Sequence, residues 1–388
     1  MRVRAPTRTV SEKTPGIVLL RWGGVRLVLC RINAASYGKP PSQMATALHL
    51  ARAHGAAVYL IRPEGPVNGA LFDLRSPDVR VLSEIPWLTA WLRRHWPTIV
   101  RVGDAGAASQ VDTSESIARA PVRVALHPRA EQRAVARARA LGIPIDGPLV
   151  TLHAREAGFK GSVGQTERGK DDIRSCRIET YFDAIDDLVR AGRTVVRIGD
   201  PTMTPVDRPG VVDLATSPGR DEWVELWCLL RSEFFIACQS GPYAFAILTN
   251  TPVLMVNVAN PLAAYPHRRK DLYILKHVID RSTGRELTLR ELLRDGATHA
   301  GDLARYAFVD NSREELVQAV AEMAKVVRVW PEATPAQGEY AQAIRQIQTS
   351  TRSLAKLAHK GFTRAPFERQ GRIAACFADR HLGRTDLG

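Results

Sequence analysis

The second half of the chain alternates short apolar runs with segments whose apolar residues recur every three or four positions. Four of the runs are LVTLHA (149–154), TVVRIGD (194–200), FFIAC (234–238) and PVLMVNV (252–258). Runs of this length are typical of strands that are buried on both faces. Residues 177–192, between the first two runs, have an apolar helical face and end at Gly192, which predicts a helix. This alternation over short connections predicts a doubly wound parallel sheet.

The first half shows the same alternation less regularly. Its predicted strands and helix are GIVLLRW and VRLVLC (16–30), SQMATALHLARAHG (42–55) and VYLIRP (58–63). The pattern continues less clearly through VRVL (79–82), a tryptophan-rich stretch (87–96) and TIVRVGD (98–104). We expect the tryptophans of this stretch to pack in the core rather than to form a ligand platform; they are Trp87, Trp91 and Trp96.

These patterns divide the chain into two α/β units. IPIDGP (143–148) contains two prolines and a glycine, which interrupt helices and strand ladders, and it is predicted to be a linker. The fold class is therefore α/β, with two Rossmann-like domains facing a cleft and a C-terminal helix. The predicted parts are a basic arm (1–15), an N-terminal Rossmann-like domain (16–145), a C-terminal ligand-binding domain (146–331) and a C-terminal helix with a basic tail (332–388).

The end of the chain is predicted to be mostly helical. Ser312 and Glu315 have the spacing of a capping box, which predicts a helix start, and Pro331 terminates that helix. Residues 335–360 have the pattern of one more helix. The tail beyond Lys360 is predicted to be disordered.

Arginine dominates the charge of the protein. Its 54 basic and 40 acidic residues give a formal net charge of +14, and only nine of the basic residues are lysines. Because the guanidinium fork binds phosphate oxygens in pairs, this composition suits a nucleotide diphosphate or another polyanion. A GC-rich genome that favours arginine codons would produce the same bias without a functional reason. No aromatic residues are interleaved at base-stacking spacing, so nucleic acid is not an expected partner.

Hydropathy and cysteine usage indicate where the protein works. Its longest apolar runs, such as residues 253–259, are under half of the roughly 20 residues that a membrane-spanning helix requires. The N-terminal arm lacks the apolar core of a signal peptide, so we expect a cytoplasmic protein. Its basic surface would suit peripheral contact with anionic lipid at the inner face of the membrane. Five widely spaced cysteines without a C-x-x-C pair predict neither disulfides nor structural zinc.

Candidate chemistry lies where the run of residues 149–154 ends. His153, Arg155 and Glu156 stand at this end. The polar loop that follows them (157–177) is long for a strand-to-helix connection. We expect the loop to cover a substrate. Arginines at its far end and at the end of the next strand can converge on a pyrophosphate beside a helix N-terminus. The candidate phosphate-binding arginines are Arg155, Arg174, Arg177 and Arg197; ordinary surface ion pairs are the alternative for each.

A second candidate lies between two buried runs. Ser240 and Gly241 follow the run at 234–238, and Pro242 stands in the first turn of a predicted helix. Glycine lets a ligand approach the backbone, and free N–H groups at the helix start, with the Ser240 hydroxyl, can bind a phosphate or ribose oxygen. The alternative is that this segment is only the start of a helix.

Five ordered blocks resemble a known family. They are LHARE (152–156), DDIRSCRIETYFDAI (171–185), VVRIGD (195–200), VVDLA (211–215) and FFIACQSGPYAFAILTNTPVLMVN (234–257). They look like bacterial proteins assigned as glycosyltransferases of the GT-B fold, which tend to occur among surface-polysaccharide genes. The H-x-R element is also similar to fucosyltransferases in which the arginine holds the nucleotide β-phosphate, and this implies that role for Arg155. The chain departs from the family pattern at Ser175, Leu214 and Cys238-Gln239.

The resemblance implies a hexosyl- or fucosyl-type glycosyltransferase. Its donor would be a nucleotide-diphosphate sugar, which is a co-substrate, so no cofactor is expected; its acceptor would be a surface glycan or a lipid-linked molecule. The chain has no D-x-D motif, so we expect no catalytic metal, and arginines with a helix N-terminus would neutralise the leaving diphosphate. The loop at 33–42 of the N-terminal domain would face the acceptor.

The reaction also calls for a base at the acceptor hydroxyl. The candidates are His153, Glu156 and Asp200. His153 has a packing role as its alternative, and Asp200 has one as a turn residue after Gly199. Two other functions stay open: a nucleotide-sugar epimerase on the same fold, and a non-catalytic basic protein that binds polyanions.

Overall fold

A computed structural model gives the structure of the protein. It describes residues 16–22, 24–34, 37–65, 67–102, 116–158, 172–259, 268–295, 303–349 and 371–382. The predicted basic arm (1–15) and most of the predicted substrate-covering loop (159–171) lie outside the described residues.

The strands and helices follow one another along the whole described chain. The strands are β1 (Ile17–Trp22), β2 (Val25–Arg31), β3 (Ala57–Ile61), β4 (Leu74–Arg75), β5 (Ala125–Leu126), β6 (Leu149–Leu152), β7 (Thr194–Arg197), β8 (Val211–Asp213), β9 (Ser232–Ala237), β10 (Val253–Val258), β11 (Leu272–Leu275), β12 (His277–Asp280), β13 (Tyr306–Val309) and β14 (Arg372–Ile373). The helices whose two ends are described are α1 (Lys39–His54), α2 (Pro86–Val102), α3 (Pro128–Ala140), α4 (Phe182–Arg190), α5 (Glu222–Arg231), α6 (Tyr243–Thr249), α7 (Leu289–Asp295), α8 (Arg313–Val326), α9 (Pro335–Thr349) and α10 (Ala375–Leu382).

The second half is built on a seven-stranded sheet in the order β14-β11-β10-β9-β6-β7-β8. Every neighbouring pair in it is parallel. All residues of β6, β10 and β11 are buried, because helices cover both faces of a parallel sheet. The prediction of a parallel α/β sheet is confirmed.

The first half has a smaller sheet of different topology. Strands β1 and β2 form an antiparallel pair, and β2 is parallel to β3, with α1 as the crossover between them. Gly24, at φ 83°, lies in the tight connection between the two antiparallel strands, where a left-handed residue is required. The described part of the first half therefore contains one βαβ unit preceded by a hairpin, and not a longer series of parallel strands.

The tryptophan-rich stretch and the run after it form one helix, α2. Trp96 is buried at 1% exposure, within a small cluster that packs α2 against the sheet of the first half. Trp87 and Trp91 are 72% and 51% exposed, so the prediction that all three pack in the core was wrong for these two. Trp87 and Trp91 are four positions apart and therefore share one side of α2. This side lies outside the narrow apolar face of the helix and points to solvent.

The two halves share one hydrophobic core. Helix α1 packs against α6, and Tyr37 stacks on Phe245 with ring centroids 5.1 Å apart. Trp223 of α5 donates to Asp73 at 2.7 Å. The first half therefore packs directly on two helices of the seven-stranded sheet.

The end of the chain adds to the seven-stranded sheet. The capping box at Ser312 and Glu315 is present, as predicted, and opens α8. Beyond α9, strand β14 pairs in parallel with β11, and α10 packs on α8 and α9. The prediction of a disordered tail beyond Lys360 was wrong for residues 371–382, because the short apolar segment around Ile373 completes an otherwise open sheet edge. Among the described residues, none of the helices has both the length and the apolar character that crossing a bilayer requires.

Candidate active site

The candidate residues lie at the carboxyl edge of the seven-stranded sheet. His153 follows β6, Asp200 follows β7 and Ser240 follows β9, and these three strands are neighbours in the order β9-β6-β7. Because parallel strands end at the same edge, residues that are far apart in sequence meet there. Ligands of open α/β sheets bind at this edge.

Arg155 and Arg174 link the segment before Cys176 to the turns after β6 and β9. Nη1 of Arg155 donates to Oγ of Ser175, and Nη1 of Arg174 donates to the carbonyl oxygen of Gln239 at 3.3 Å. The backbone N–H of Arg155 donates to Sγ of Cys238 at 3.1 Å, which ties the turn after β6 to the turn after β9. Two of the four predicted arginines therefore lie together between these turns.

A third cation joins this group from a strand that sequence reasoning passed over. Nζ of Lys276, directly after β11, donates to the carbonyl oxygen of Ser175 at 2.7 Å and to Oδ1 of Asp310 at 2.5 Å. Lys276 is only 4% exposed. The sequence held one signal for it, a lysine at the end of a fully apolar run (272–275), because a buried lysine needs a partner.

Arg177 lies at the rim of the same region. Its side chain is exposed, and its backbone N–H donates to Oδ2 of Asp310 at 3.1 Å. A hollow of about 380 Å³ opens here; among the residues that line it are Glu156, Ser175, Arg177, Thr204 and Asp310. Cationic and carboxylate groups both face this space.

Arg197 is placed differently from the other arginines. Its guanidinium is fully buried and pairs with Glu156 at 2.7 Å and with Asp213 at 3.0 Å. The Glu156 carboxylate also accepts from the backbone N–H and the hydroxyl of Thr204, at 2.8 and 2.7 Å. Oε2 of Glu156 thus holds the loop after β7, and its Oε1 accepts from Arg197.

His153 is buried, and its two ring nitrogens differ. Nδ1 lies 3.0 Å from the carbonyl oxygen of Ile198, which assigns the proton to Nδ1. Nε2 is buried without a hydrogen-bond partner among the described residues. The ring therefore keeps an unused acceptor at the sheet edge, and a buried unpaired acceptor has a free-energy cost.

Asp200 forms the turn after β7. Oδ1 of Asp200 accepts from the backbone N–H of Thr202 at 3.0 Å and from its hydroxyl. This is the geometry of an Asx turn, the role given above as the alternative to catalysis.

Gly241, directly after Ser240, contacts the first half of the chain. A Cβ on Gly241 would lie 2.9 Å from the backbone nitrogen of Gly38 and 3.1 Å from Cβ of Tyr37. Glycine is required here because two backbones approach closely. Ser240 is buried, and its hydroxyl lies 3.4 Å from the carbonyl oxygen of Cys238. The turn thus joins the two halves of the protein beside the arginines.

Two buried thiols lie beneath the arginines. Burial raises the pKa of Cys238, but its hydrogen bonds with Cys176, with the backbone N–H of Arg155 and with Ser240 have a larger effect and lower it. The pKa of Cys176 is raised by its hydrogen bond to Cys238 and by burial. A negative charge is thus better tolerated on Cys238 than on Cys176.

The junction of the two halves contains a buried carboxyl that sequence reasoning missed. Glu225 of α5 accepts from the Tyr37 hydroxyl at 3.2 Å and pairs with Arg220 at 2.7 Å. Burial raises the pKa of Glu225, and the charge of Arg220 opposes this. Its only sequence signal was its place among the apolar residues of α5. Among the described residues, the one group with metal-ligand spacing, His277, Glu315 and His381, includes none of the residues of this edge.

Comparisons with known proteins gave structural neighbours only. No protein-family model and no curated protein matches the chain. A glycosyl transferase family 9 structure from Veillonella parvula is 11% identical over 75% of this chain and 80% of that chain, with a TM-score of 0.33. The iron-containing dodecameric glycosyltransferase TibC from enterotoxigenic E. coli is 13% identical over 86% of this chain and 78% of that one, with a TM-score of 0.35. TibC described as a heptosyltransferase in complex with ADP-D-beta-D-heptose is 14% identical over 77% and 75%, with a TM-score of 0.37.

Proposed function

We propose that this protein is a glycosyltransferase that moves a sugar from a nucleotide-diphosphate donor to a glycan or lipid-linked acceptor. The observation that carries the proposal is that Arg155 and Lys276 both contact Ser175, while the neighbouring Arg174 contacts Gln239 in the turn after β9, at the carboxyl edge of a parallel sheet. Guanidinium and ammonium groups of this kind suit a pyrophosphate, whose negative charge grows as it leaves the sugar.

In this proposal the cations act on the leaving group and His153 acts on the acceptor. The bond between the anomeric carbon and the diphosphate oxygen breaks, the electron pair stays with the diphosphate, and the acceptor oxygen bonds to the anomeric carbon. Nε2 of His153 takes the hydroxyl proton, since Nδ1 is already engaged with Ile198. Arg197 and Glu156 support the loop after β7, Arg177 lies at the rim of the hollow, and the Ser240 hydroxyl binds a phosphate or ribose oxygen.

The proposal includes an acceptor that enters from the first half. Tyr37 and Gly38, in the predicted acceptor-side loop (33–42), touch the turn at Gly241. A thermal-shift screen with UDP, GDP, CDP, ADP and dTDP would identify the donor base, because a ligand stabilises the native state in proportion to its affinity. Turnover that persists in a chelator would support the proposed metal independence.

The deciding test is nucleotide-diphosphate binding to an Arg155→Ala variant, measured by calorimetry. Loss of a charge-assisted phosphate contact costs about 1.5 to 3 kcal/mol, so we expect affinity to fall by roughly 10- to 150-fold. An Arg155→Lys variant keeps the charge without the fork and should lose less. Arg190→Ala is the matched control, because Arg190 is exposed and pairs only with Asp187 among the contacts found for it. Equal affinity for wild type and Arg155→Ala would refute the proposal.

Peripheral contact with an anionic membrane belongs to the same proposal. Trp22 is 89% exposed, and Trp87 and Trp91 lie four positions apart on the solvent side of α2. Tryptophans of this kind sit at the level of lipid headgroups, and a net charge of +14 favours anionic lipid. Sedimentation with vesicles should therefore require anionic lipid and should weaken in a Trp87→Ala, Trp91→Ala variant.

Two experiments distinguish this function from the two alternative functions. A nucleotide-sugar epimerase would convert the donor without an acceptor, so product analysis with and without acceptor distinguishes the two. A non-catalytic polyanion-binding protein would lose affinity steeply with salt but would not respond to nucleotide diphosphates.

A further inference from the structure

Two histidines and a glutamate from three separate elements meet beside α10. His277 begins β12, Glu315 lies in the first turn of α8 and His381 lies in the last turn of α10. Nε2 of His277 lies 2.8 Å from Oε2 of Glu315, and Nε2 of His381 lies 3.0 Å from Oε1 of the same carboxylate. One ligand-type atom of each side chain lies within 4.8 Å of the other two.

A second carboxylate orients the first histidine. Nδ1 of His277 lies 2.5 Å from Oε1 of Glu286, and this pair assigns a proton to Nδ1. A ring with a carboxylate at each nitrogen requires a positive group at both nitrogens, either two protons or one proton and a metal ion. A carboxylate that holds the far nitrogen of a histidine is the usual outer partner at metal sites, where it fixes the ring and raises its basicity.

The distances and the surroundings suit a small ion. With metal–ligand bonds of about 2.0 to 2.1 Å, tetrahedral ligand atoms lie about 3.3 Å apart. The contacts of 2.8 and 3.0 Å go to different oxygens of Glu315, and the ligand atoms all lie within 4.8 Å of one another, so an ion requires side-chain shifts of about 1.5 Å or less. Glu315 is 5% exposed, whereas the side chains of His277 and His381 are 16% and 22% exposed, which leaves a path for an ion and a water. Phe377 stacks on His381 with ring centroids 4.2 Å apart and limits the motion of that ring.

We propose that His277, Glu315 and His381 bind a divalent transition-metal ion. Two imidazoles and one carboxylate are a donor set that suits Zn²⁺ or Fe²⁺, with the remaining position taken by water. The ion would join β12, α8 and α10 at one point and would therefore hold the C-terminal helix on the seven-stranded sheet. Sequence inspection could not find this set, because Glu315 lies 38 positions after His277 and His381 lies 66 positions after Glu315.

Cobalt is the most direct probe for this proposal. The full-length protein is stripped with a chelator, and CoCl₂ is added while the visible spectrum is recorded. We expect one equivalent of Co²⁺ to bind with d–d bands of four- or five-coordinate intensity, Zn²⁺ to displace it, and the melting temperature to rise with either ion. No nucleotide is present, so the result does not depend on the proposed transferase activity.

Three variants make the test specific. His381→Gln removes a ligand and should weaken Co²⁺ binding by more than about 100-fold, whereas Glu286→Gln should weaken it by about 10- to 100-fold, as expected for an outer partner. His54→Gln, at the end of α1 in the other half, should leave binding unchanged. Circular dichroism of each variant checks the fold, and Glu286→Gln remains informative if His381→Gln does not fold. Absence of saturable Co²⁺ uptake, or uptake that neither variant weakens, would overturn the proposal.

Discussion

At the scale of single residues, the four candidate arginines differ in burial and in partners. Arg197 is fully buried between Glu156 and Asp213. Arg155, at 9% exposure, donates to the Ser175 hydroxyl instead, and Arg174 donates to Gln239 in the turn after β9. A buried guanidinium that is paired on two sides is held by its carboxylates and is poorly placed to receive a phosphate. Its residue type is the same as that of Arg155, and only its surroundings separate the two roles.

This placement predicts that Glu156 matters for stability more than for turnover. Glu156→Gln leaves Arg197 with only one carboxylate and should reduce the free energy of unfolding by on the order of 3 kcal/mol, as measured by urea denaturation. Glu179→Gln is the matched control, since Glu179 lines the same hollow and is exposed. A variant of unchanged stability that had lost its turnover would instead make Glu156 the catalytic base.

His153 should behave in the opposite way. His153→Asn keeps a donor for the carbonyl oxygen of Ile198 but loses the unpaired acceptor at Nε2. We expect kcat to fall by about 10²- to 10⁴-fold while the nucleotide-diphosphate affinity stays within a factor of about 3. Steady-state kinetics and calorimetry on the same preparation measure the two quantities. An unchanged kcat would assign His153 to packing.

At the scale of elements, α1 is joined to the segment before α3 through one histidine. The backbone N–H of Val122 donates to Nε2 of His49 at 3.2 Å, and Nδ1 lies 3.0 Å from Oγ of Ser116. Burial, and then the charge of Arg52, lowers the pKa of His49 from 6.5 to about 4. The helix is thus attached through a neutral ring.

The pH dependence of stability follows from this pKa. Between pH 6.5 and about 4 the unfolded chain binds a proton at His49 that the folded chain does not, so stability falls as the pH falls through this window. The loss should be on the order of 2 to 3 kcal/mol. Urea denaturation at pH 7 and pH 5 should show a smaller pH effect in His49→Gln than in wild type. Equal pH effects in the two proteins would contradict this prediction.

At the scale of the whole molecule, the two halves meet where backbone touches backbone. Gly241→Ala would bring a Cβ to 2.9 Å from the backbone nitrogen of Gly38, and this contact cannot relax by a side-chain rotation. We expect a loss of about 1 to 3 kcal/mol in the free energy of unfolding and weaker nucleotide-diphosphate binding beside the junction. Thermal and urea denaturation measure the first effect, and calorimetry measures the second.

Gly338→Ala is the control for that substitution. Gly338 lies in α9, and a Cβ there would meet nothing within 4 Å. Because alanine is favoured over glycine inside a helix by about 1 kcal/mol, this variant should be as stable as wild type or more so. If Gly241→Ala were equally neutral, the close contact between the halves would not be a fixed feature of the protein.

The sequence by itself determined the local elements of this protein. The apolar runs of β6 and β10 and the capping box of α8 depend on near neighbours along the chain, so they could be predicted. Tertiary structure decided which side chains meet. It buried Arg197, brought Lys276 to Ser175 and gathered His277, Glu315 and His381, because these outcomes depend on strand order and helix packing between distant segments. No local pattern carries that information, since hydrophobic burial sets periodicity but not the identity of distant partners.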